Sequence, residues 1–235
     1  MDIVKIAVIG LGYVGLPLAR LFSTKYKTVG FDMNKSRVDA LMAGHDATLE
    51  VSDELLQSAI ANGFKCTADI EDIRDCNFYI VAVPTPVDHN HNPDLTPLYS
   101  ASTTVGKVIS KGDIVVYEST VYPGVTEDEC IPVVEKISGL EFNTDFFAGY
   151  SPERINPGDK LHTVEKIKKV TSGSTPEIAD VVAQHPKITI ISDEIYEYIN
   201  YEGEHVSIAE FPQVYEQTAV INGMSKAFAM TGWRI

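Results

Sequence analysis

Positive charge is scarce in this chain: 19 lysines and arginines stand against 33 aspartates and glutamates, a formal net charge of −14 over 235 residues. A surface of that sign repels the phosphates of nucleic acid and anionic lipid headgroups, so neither nucleic acid nor a membrane is expected as a partner. Small anions remain open, because a few backbone N–H groups and a single arginine can hold them. No window of about 18 apolar residues occurs, so no membrane-spanning helix is expected. The first residues run straight into a strand pattern, without the features of a secretory leader. Cysteine is equally sparse. Cys66, Cys76 and Cys130 are odd in number and lack the spacing of metal ligands or of a disulfide framework. They read as reduced thiols of a cytoplasmic protein, with Cys66 and Cys76 as small core fillers. No metal is expected either: His89 and His91 lie in a polar, turn-rich loop, Asp88–Asp94, where both rings can simply be solvated.

What the sequence does hold begins at once. Ile3–Ile9 is an apolar run of the kind that forms a buried parallel strand, and it ends in Gly10-Leu11-Gly12-Tyr13-Val14-Gly15. A helical pattern follows (Leu16, Leu18, Ala19, Leu21, Phe22). In such a strand–turn–helix unit Gly10 allows the turn, Gly12 lets a pyrophosphate approach the backbone, and Gly15 lets the helix pack close to the strand. The helix start offers unpaired N–H groups and the positive end of its dipole. A second strand, Thr28–Phe31, ends in Asp32, at the spacing from Gly10 where an acidic residue accepts the adenosine ribose hydroxyls. The two features together predict dinucleotide binding over a mere glycine-rich turn. Asp32 would repel a 2′-phosphate, which favours NAD over NADP. Arg37, one turn into the helix opened by Asn34, reads equally as a cover for the adenine side or as a solvated helix charge.

Strands and helices then alternate. Apolar strands are predicted at Phe64–Cys66, Phe78–Val83, Ile114–Tyr117 and Phe146–Tyr150, and helices over Leu55–Ile60, up to Cys76, over Thr96–Ile109 and over Thr126–Ser138. The strand ends carry Pro84-Thr85-Pro86, Glu118-Ser119-Thr120 and Ser151-Pro152-Glu153, small or polar groups where the strand bodies are apolar. This alternation predicts an α/β fold, a doubly wound Rossmann-type parallel sheet with a ligand cleft along the C-terminal ends of its strands.

Four of these stretches, taken together, resemble the UDP-sugar 6-dehydrogenases: residues 10–17 (GLGYVGLP), 83–86 (VPTP), 118–124 (ESTVYPG) and 150–158 (YSPERINPG). They look like the UDP-N-acetylhexosamine branch, which makes uronic acids for bacterial surface polysaccharides. The resemblance covers residues 1 to about 182, taken as an NAD-binding domain. It implies NAD contacts at Gly12, Tyr13, Val14, Asp32, Arg37, Val83, Thr85, Ser119 and Thr120. It implies that Glu153 is the acid/base near the sugar C6, that Thr120 helps to place a water, and that Arg154, Ile155 and Asn156 face a UDP-sugar substrate. Read from the residues alone, Glu153 could equally be a surface carboxylate paired with Arg154. The family's second oxidation runs through a thioester on a cysteine beyond its central helix. This chain has no cysteine after Cys130, so the resemblance implies a truncated or chimeric chain, inactive alone. Full-length relatives associate through that helix; here an exposed strand near Ile235 could instead pair two copies as a homodimer.

From about residue 183 the resemblance changes. Residues 188–197 (ITIISDEIYE) and 222–234 (NGMSKAFAMTGWR) resemble class I aspartate-type aminotransferases. In that family Lys226 would form the pyridoxal phosphate Schiff base, with Asp193 on the pyridinium nitrogen, Tyr196 on the phenolic oxygen and Arg234 on the phosphate. The stretch 183–235 is too short to support its own core, so packing rather than pyridoxal phosphate binding is expected of it. Lys168–Thr171 reads as a strand and Pro176–Gln184 as a helix. Residues 188–192 are expected to add a strand to the first sheet or to pack beside it.

Overall fold

The computed structural model describes residues 4–87, 89, 92–151, 172–173, 190–193, 206–210, 212, 215 and 218–221. The chain divides into two compact units, Met1–Gly173 and Ser174–Ile235. In the first, the described residues form six parallel strands, β1 (Lys5–Ile9), β2 (Lys27–Phe31), β3 (Lys65–Thr67), β4 (Phe78–Val81), β5 (Ile114–Tyr117) and β6 (Phe147–Tyr150), in the order β3-β2-β1-β4-β5-β6. β7 (Ser172–Gly173) closes the sheet beyond β6 and runs antiparallel to it. The order reverses between β1 and β4, so their C-terminal ends flank the crevice where such sheets bind ligands. The register there is fixed by Ile6↔Phe78 through Ile9↔Val81.

The strands are apolar on both faces because both faces are covered. Ile6, Val8 and Ile80 pack with Leu16, Ala19, Val38, Leu41 and Leu56. These come from α1 (Gly15–Ser23), α2 (Lys35–Met42) and α3 (Asp53–Ala61). On the other face Ala7, Ile9, Tyr79 and Val81 pack with Leu98, Val105, Ile131 and Val134 from α4 (Thr96–Gly106) and α5 (Ile131–Ser138). α2 and α3 begin where Asn34 and Ser52 accept N–H bonds from Arg37 and Leu55, the usual N-cap arrangement. This is the doubly wound Rossmann-type sheet that the alternation predicts.

Four expectations change in detail. The helix expected to end near Cys76 is one 3-10 turn, Ile70–Ile73, held by Asp69 at its start. α4 ends at Gly106, three residues early, at a point where a methyl group would sit 2.8 Å from the Ile137 side chain. The helix expected from Thr126 opens instead with π-type turns over Val125–Cys130. Pro132, with no N–H to give, cannot make the α-helical bond back to Asp128, and the wider turn absorbs that loss. Finally, Ile190–Asp193 (β8) does not add a strand to the first sheet. It pairs in parallel with Thr218–Ile221 (β9), from Ile190↔Thr218 to Asp193↔Ile221, because this second β-prone run gives its backbone groups a partner within the same unit. The strand at Lys168–Thr171 and the helix at Pro176–Gln184 lie outside the described residues. Among the described residues no helix is long and apolar enough to cross a membrane, and no group of acidic, histidine or cysteine side chains could hold a metal ion.

Leu56 and Leu98 are both fully buried, in separate clusters on opposite faces. Replacing either by alanine is expected to cost about 2–5 kcal/mol, and the two losses should add to within about 0.5 kcal/mol. Urea unfolding of the single and double variants checks this.

Candidate functional site

The loop between β1 and α1 sits at the switch point, and its glycines are required by contact. Gly10 has φ +91°, and a Cβ there would lie 2.8 Å from the Ala82 carbonyl oxygen at the end of β4. A Cβ at Gly15 would collide with the Gly10 carbonyl. At Gly12 the space is open. No side chain caps the start of α1. In its first turn the Leu16 N–H donates to the Gly12 carbonyl at 3.1 Å and Pro17 has no N–H, so the helix start offers a ligand chiefly the positive end of its dipole.

Two adjoining cavities run along the strand ends from this loop. One, of about 280 Å³, is lined by Gly10, Asp32, Met33, Pro84 and Ser100 among others. The other, of about 180 Å³, is lined by Tyr13, Val14, Thr85, Glu118, Ser119 and Thr120. Gly12, Ala82, Val83 and Pro84 border both. The cleft thus extends from the end of β2 across β1 and β4 to the end of β5, an elongated shape that suits a two-part ligand.

Its walls are prepared for one. Asp32 Oδ2 accepts the Leu11 N–H at 2.9 Å and Oδ1 accepts the Asn34 N–H at 2.9 Å. A carboxylate has about four acceptor positions, so lone pairs remain for two hydroxyls. The Ser119 hydroxyl donates to the Val83 carbonyl at 2.6 Å and ties the ends of β4 and β5 together. The Thr85 Oγ1 is buried with no hydrogen-bond partner. Such a group at a cleft wall is one that a ligand can satisfy. The open Gly12, the uncapped helix start, Asp32 and Thr85 together fit a dinucleotide.

Of the predicted site residues, the structure gathers Gly10, Gly12, Tyr13, Val14, Asp32, Val83, Thr85, Ser119 and Thr120 on this cleft. Gly15 supports it from behind. Arg37 borders neither cavity; it is engaged elsewhere. Its Nε and Nη2 donate to the Leu11 carbonyl at 3.0 and 2.9 Å, and Nη2 also donates to Asp46 Oδ1 at 2.7 Å. The Arg37 side chain is 13% exposed and that of Asp46 0%, so the pair is not a solvated helix charge. Asp46 was not foreseen from the sequence. Its signal was the Asp-x-Thr pattern of a side chain that bonds backbone two residues on. Burial by itself pushes the Asp46 carboxyl up, but donors from Thr48, Val51 and Arg37 outweigh this and hold it below the ordinary carboxylate range. Glu153, Arg154, Ile155, Asn156, Tyr196, Lys226 and Arg234 lie outside the described residues; Asp193 ends β8.

The three thiols take no part in the cleft. Cys66, Cys76 and Cys130 are 3%, 6% and 1% exposed. Burial pushes their pKa values up to about 12, 11 and 11. That agrees with the reading of Cys66 and Cys76 as core fillers, and Cys130 is buried in the same way.

Comparison with known proteins bears on the same residues. Residues 173–235 match the model of the aminotransferase class I and II family. A UDP-N-acetyl-D-glucosamine 6-dehydrogenase from Pseudomonas aeruginosa is 52% identical over 99% of this chain and 54% of its own length. One from Salmonella typhi is 52% identical over 93% of this chain and 49% of its own. The chain therefore spans about half the length of these curated relatives. A solved UDP-D-ManNAc dehydrogenase from Pyrococcus horikoshii superposes with a TM-score of 0.67 at 32% identity, covering 77% of this chain and 43% of that one. Residues 4–198 match the NAD-binding domain model of the UDP-glucose/GDP-mannose dehydrogenases, and with a cleft of this shape at the switch point of its sheet the chain belongs to that family and carries its NAD-binding domain.

Proposed function

We propose that this chain is the cofactor half of a nucleotide-sugar dehydrogenase that oxidises C6 of a UDP-N-acetylhexosamine to the uronic acid. The observation that carries the reading is the continuous cleft over the ends of β2, β1, β4 and β5, with Asp32 at one end and Ser119 and Thr120 at the other. The sugar class follows from the names of the relatives that are 52% identical to this chain. NAD bound in the cleft supplies the hydride acceptor. Asp32 would hold the adenosine ribose hydroxyls, and the Gly12–Gly15 turn the pyrophosphate. Val83, Thr85 and Ser119 would seat the nicotinamide half. Thr120 would place a water, and Glu153 would take the proton of the C6 hydroxyl as general base, with Arg154, Ile155 and Asn156 on the substrate.

Oxidation of a primary alcohol to a carboxylate needs two hydride transfers, and in this family the second passes through a cysteine thioester. A thiolate does that chemistry, and none of the three cysteines of these 235 residues is placed to supply one. We therefore read these residues as a cofactor-binding stretch that does not make uronic acid by itself. The join to the aminotransferase-like stretch is put at about residue 182, within the overlap of the two matches at 173–198. The later stretch is read as packing only, with Asp193, Tyr196, Lys226 and Arg234 not holding pyridoxal phosphate.

Three measurements test this. Calorimetric titration should show saturable NAD binding, weakened at least about tenfold in Asp32→Ala, the scale of a lost charged hydrogen bond; absence of binding by the unmodified chain sinks the proposal. Incubation with UDP-N-acetylglucosamine and NAD should give no uronic acid by mass spectrometry, and steady product would refute the two-part reading. Ellman's reagent at pH 8 should label none of the three thiols in the native chain within minutes and all three in denaturant.

A further inference from the structure

Asp46 touches no wall of the cleft, yet its hydrogen bonds lead to it. The residue sits in the connection between α2 and α3 and is 0% exposed. Oδ1 accepts from the Thr48 N–H at 3.0 Å, the Thr48 hydroxyl at 2.7 Å and Arg37 Nη2 at 2.7 Å. Oδ2 accepts from the N–H groups of Glu50 and Val51, both at 3.0 Å. With five donors, the carboxylate is fixed in place, and it fixes the guanidinium in turn. The same guanidinium grips the Leu11 carbonyl with two donors, at 3.0 and 2.9 Å.

That carbonyl is half of the Leu11–Gly12 peptide group. A trans peptide is planar, and its C=O and N–H point in opposite directions. Fixing the Leu11 oxygen therefore fixes the direction of the Gly12 N–H. Leu11 is held at its other end by Asp32, which accepts its N–H at 2.9 Å. We propose that Asp46 is a positioning residue for the cofactor: through Arg37 it locks the Leu11–Gly12 peptide so that the Gly12 N–H is set for the pyrophosphate before NAD arrives. The idea rests on the NAD-binding reading of the cleft. Without the Asp46 charge, the largely buried Arg37 guanidinium is itself uncompensated and is free to abandon Leu11 for water.

The test is a double-mutant cycle on the whole chain, with NAD affinity read by calorimetry and thermal stability read separately. Asp46→Asn keeps the size of the side chain and removes its charge. It is expected to weaken NAD about tenfold. Placed on Arg37→Ala, the same change should weaken NAD less than twofold further, while still lowering the melting temperature, because the loop bonds to Thr48, Glu50 and Val51 are disturbed in both backgrounds. A merely structural Asp46 would give the same affinity loss with and without Arg37, and that result overturns the proposal. So does a folded Asp46→Asn whose affinity stays within twofold of the unmodified chain. If circular dichroism shows Asp46→Asn unfolded, Thr48→Val, which removes one donor from Oδ1 at an exposed position, takes its place; about threefold weaker binding supports the proposal and unchanged affinity overturns it. Failure of the unmodified chain to bind NAD would fell the cofactor reading itself and this inference with it.

Discussion

At the end of β1 the backbone runs so close to β4 that a methyl group on Gly10 would lie 2.8 Å from the Ala82 carbonyl oxygen, and it turns back so tightly that one on Gly15 would strike Gly10 itself. Everything at the site follows from that approach. It brings the start of α1, with no capping side chain, to the point where the sheet changes direction. It also leaves Gly12 facing open space. A larger residue at either contact would move the helix start away from the strand ends, and the two cavities that meet at Gly12, Ala82, Val83 and Pro84 would no longer be continuous.

A chain with net charge −14 that binds an anionic dinucleotide must do so by local means. Global charge opposes the ligand only weakly, since exposed charges beyond about 10 Å are screened at ordinary salt. At the cleft the positive ends on offer are those of the backbone, at Gly12 and at the start of α1, where no side chain caps the helix. The Arg37 guanidinium is already taken by Leu11 and by a fully buried carboxylate, and so contributes order more than charge. Asp32 sits at the opposite end of the cleft from the strand ends of β5, where its negative charge meets hydroxyls and not phosphates.

The parts legible in the sequence were those whose cause is local. Gly10, Gly12, Gly15 and Asp32 announce a phosphate-binding turn because strand, turn and helix adjoin in the chain. The apolar bodies and polar ends of β1, β4 and β5 announce a parallel sheet with a cleft at one edge. What was not legible depends on distant partners. Nothing near Arg37 says that its guanidinium will reach back to Leu11, or that Asp46 will be buried against it. Nothing near Ile190 says that Thr218–Ile221 will offer it a ladder. The π-type turns before α5 depend on a single proline whose effect falls one turn upstream, where the sequence pattern reads as an ordinary helix.

The bond from Ser119 to the Val83 carbonyl has a thermodynamic meaning beyond its geometry. The backbone ladder between β4 and β5 ends its register at Val81↔Tyr117, and past that point two neighbouring strands would normally diverge. The hydroxyl continues their pairing by side chain, so the floor of the cleft is ordered by folding itself. A ligand that lands there immobilises little that was loose, and the entropy that a floppy floor would forfeit on binding is absent from its affinity.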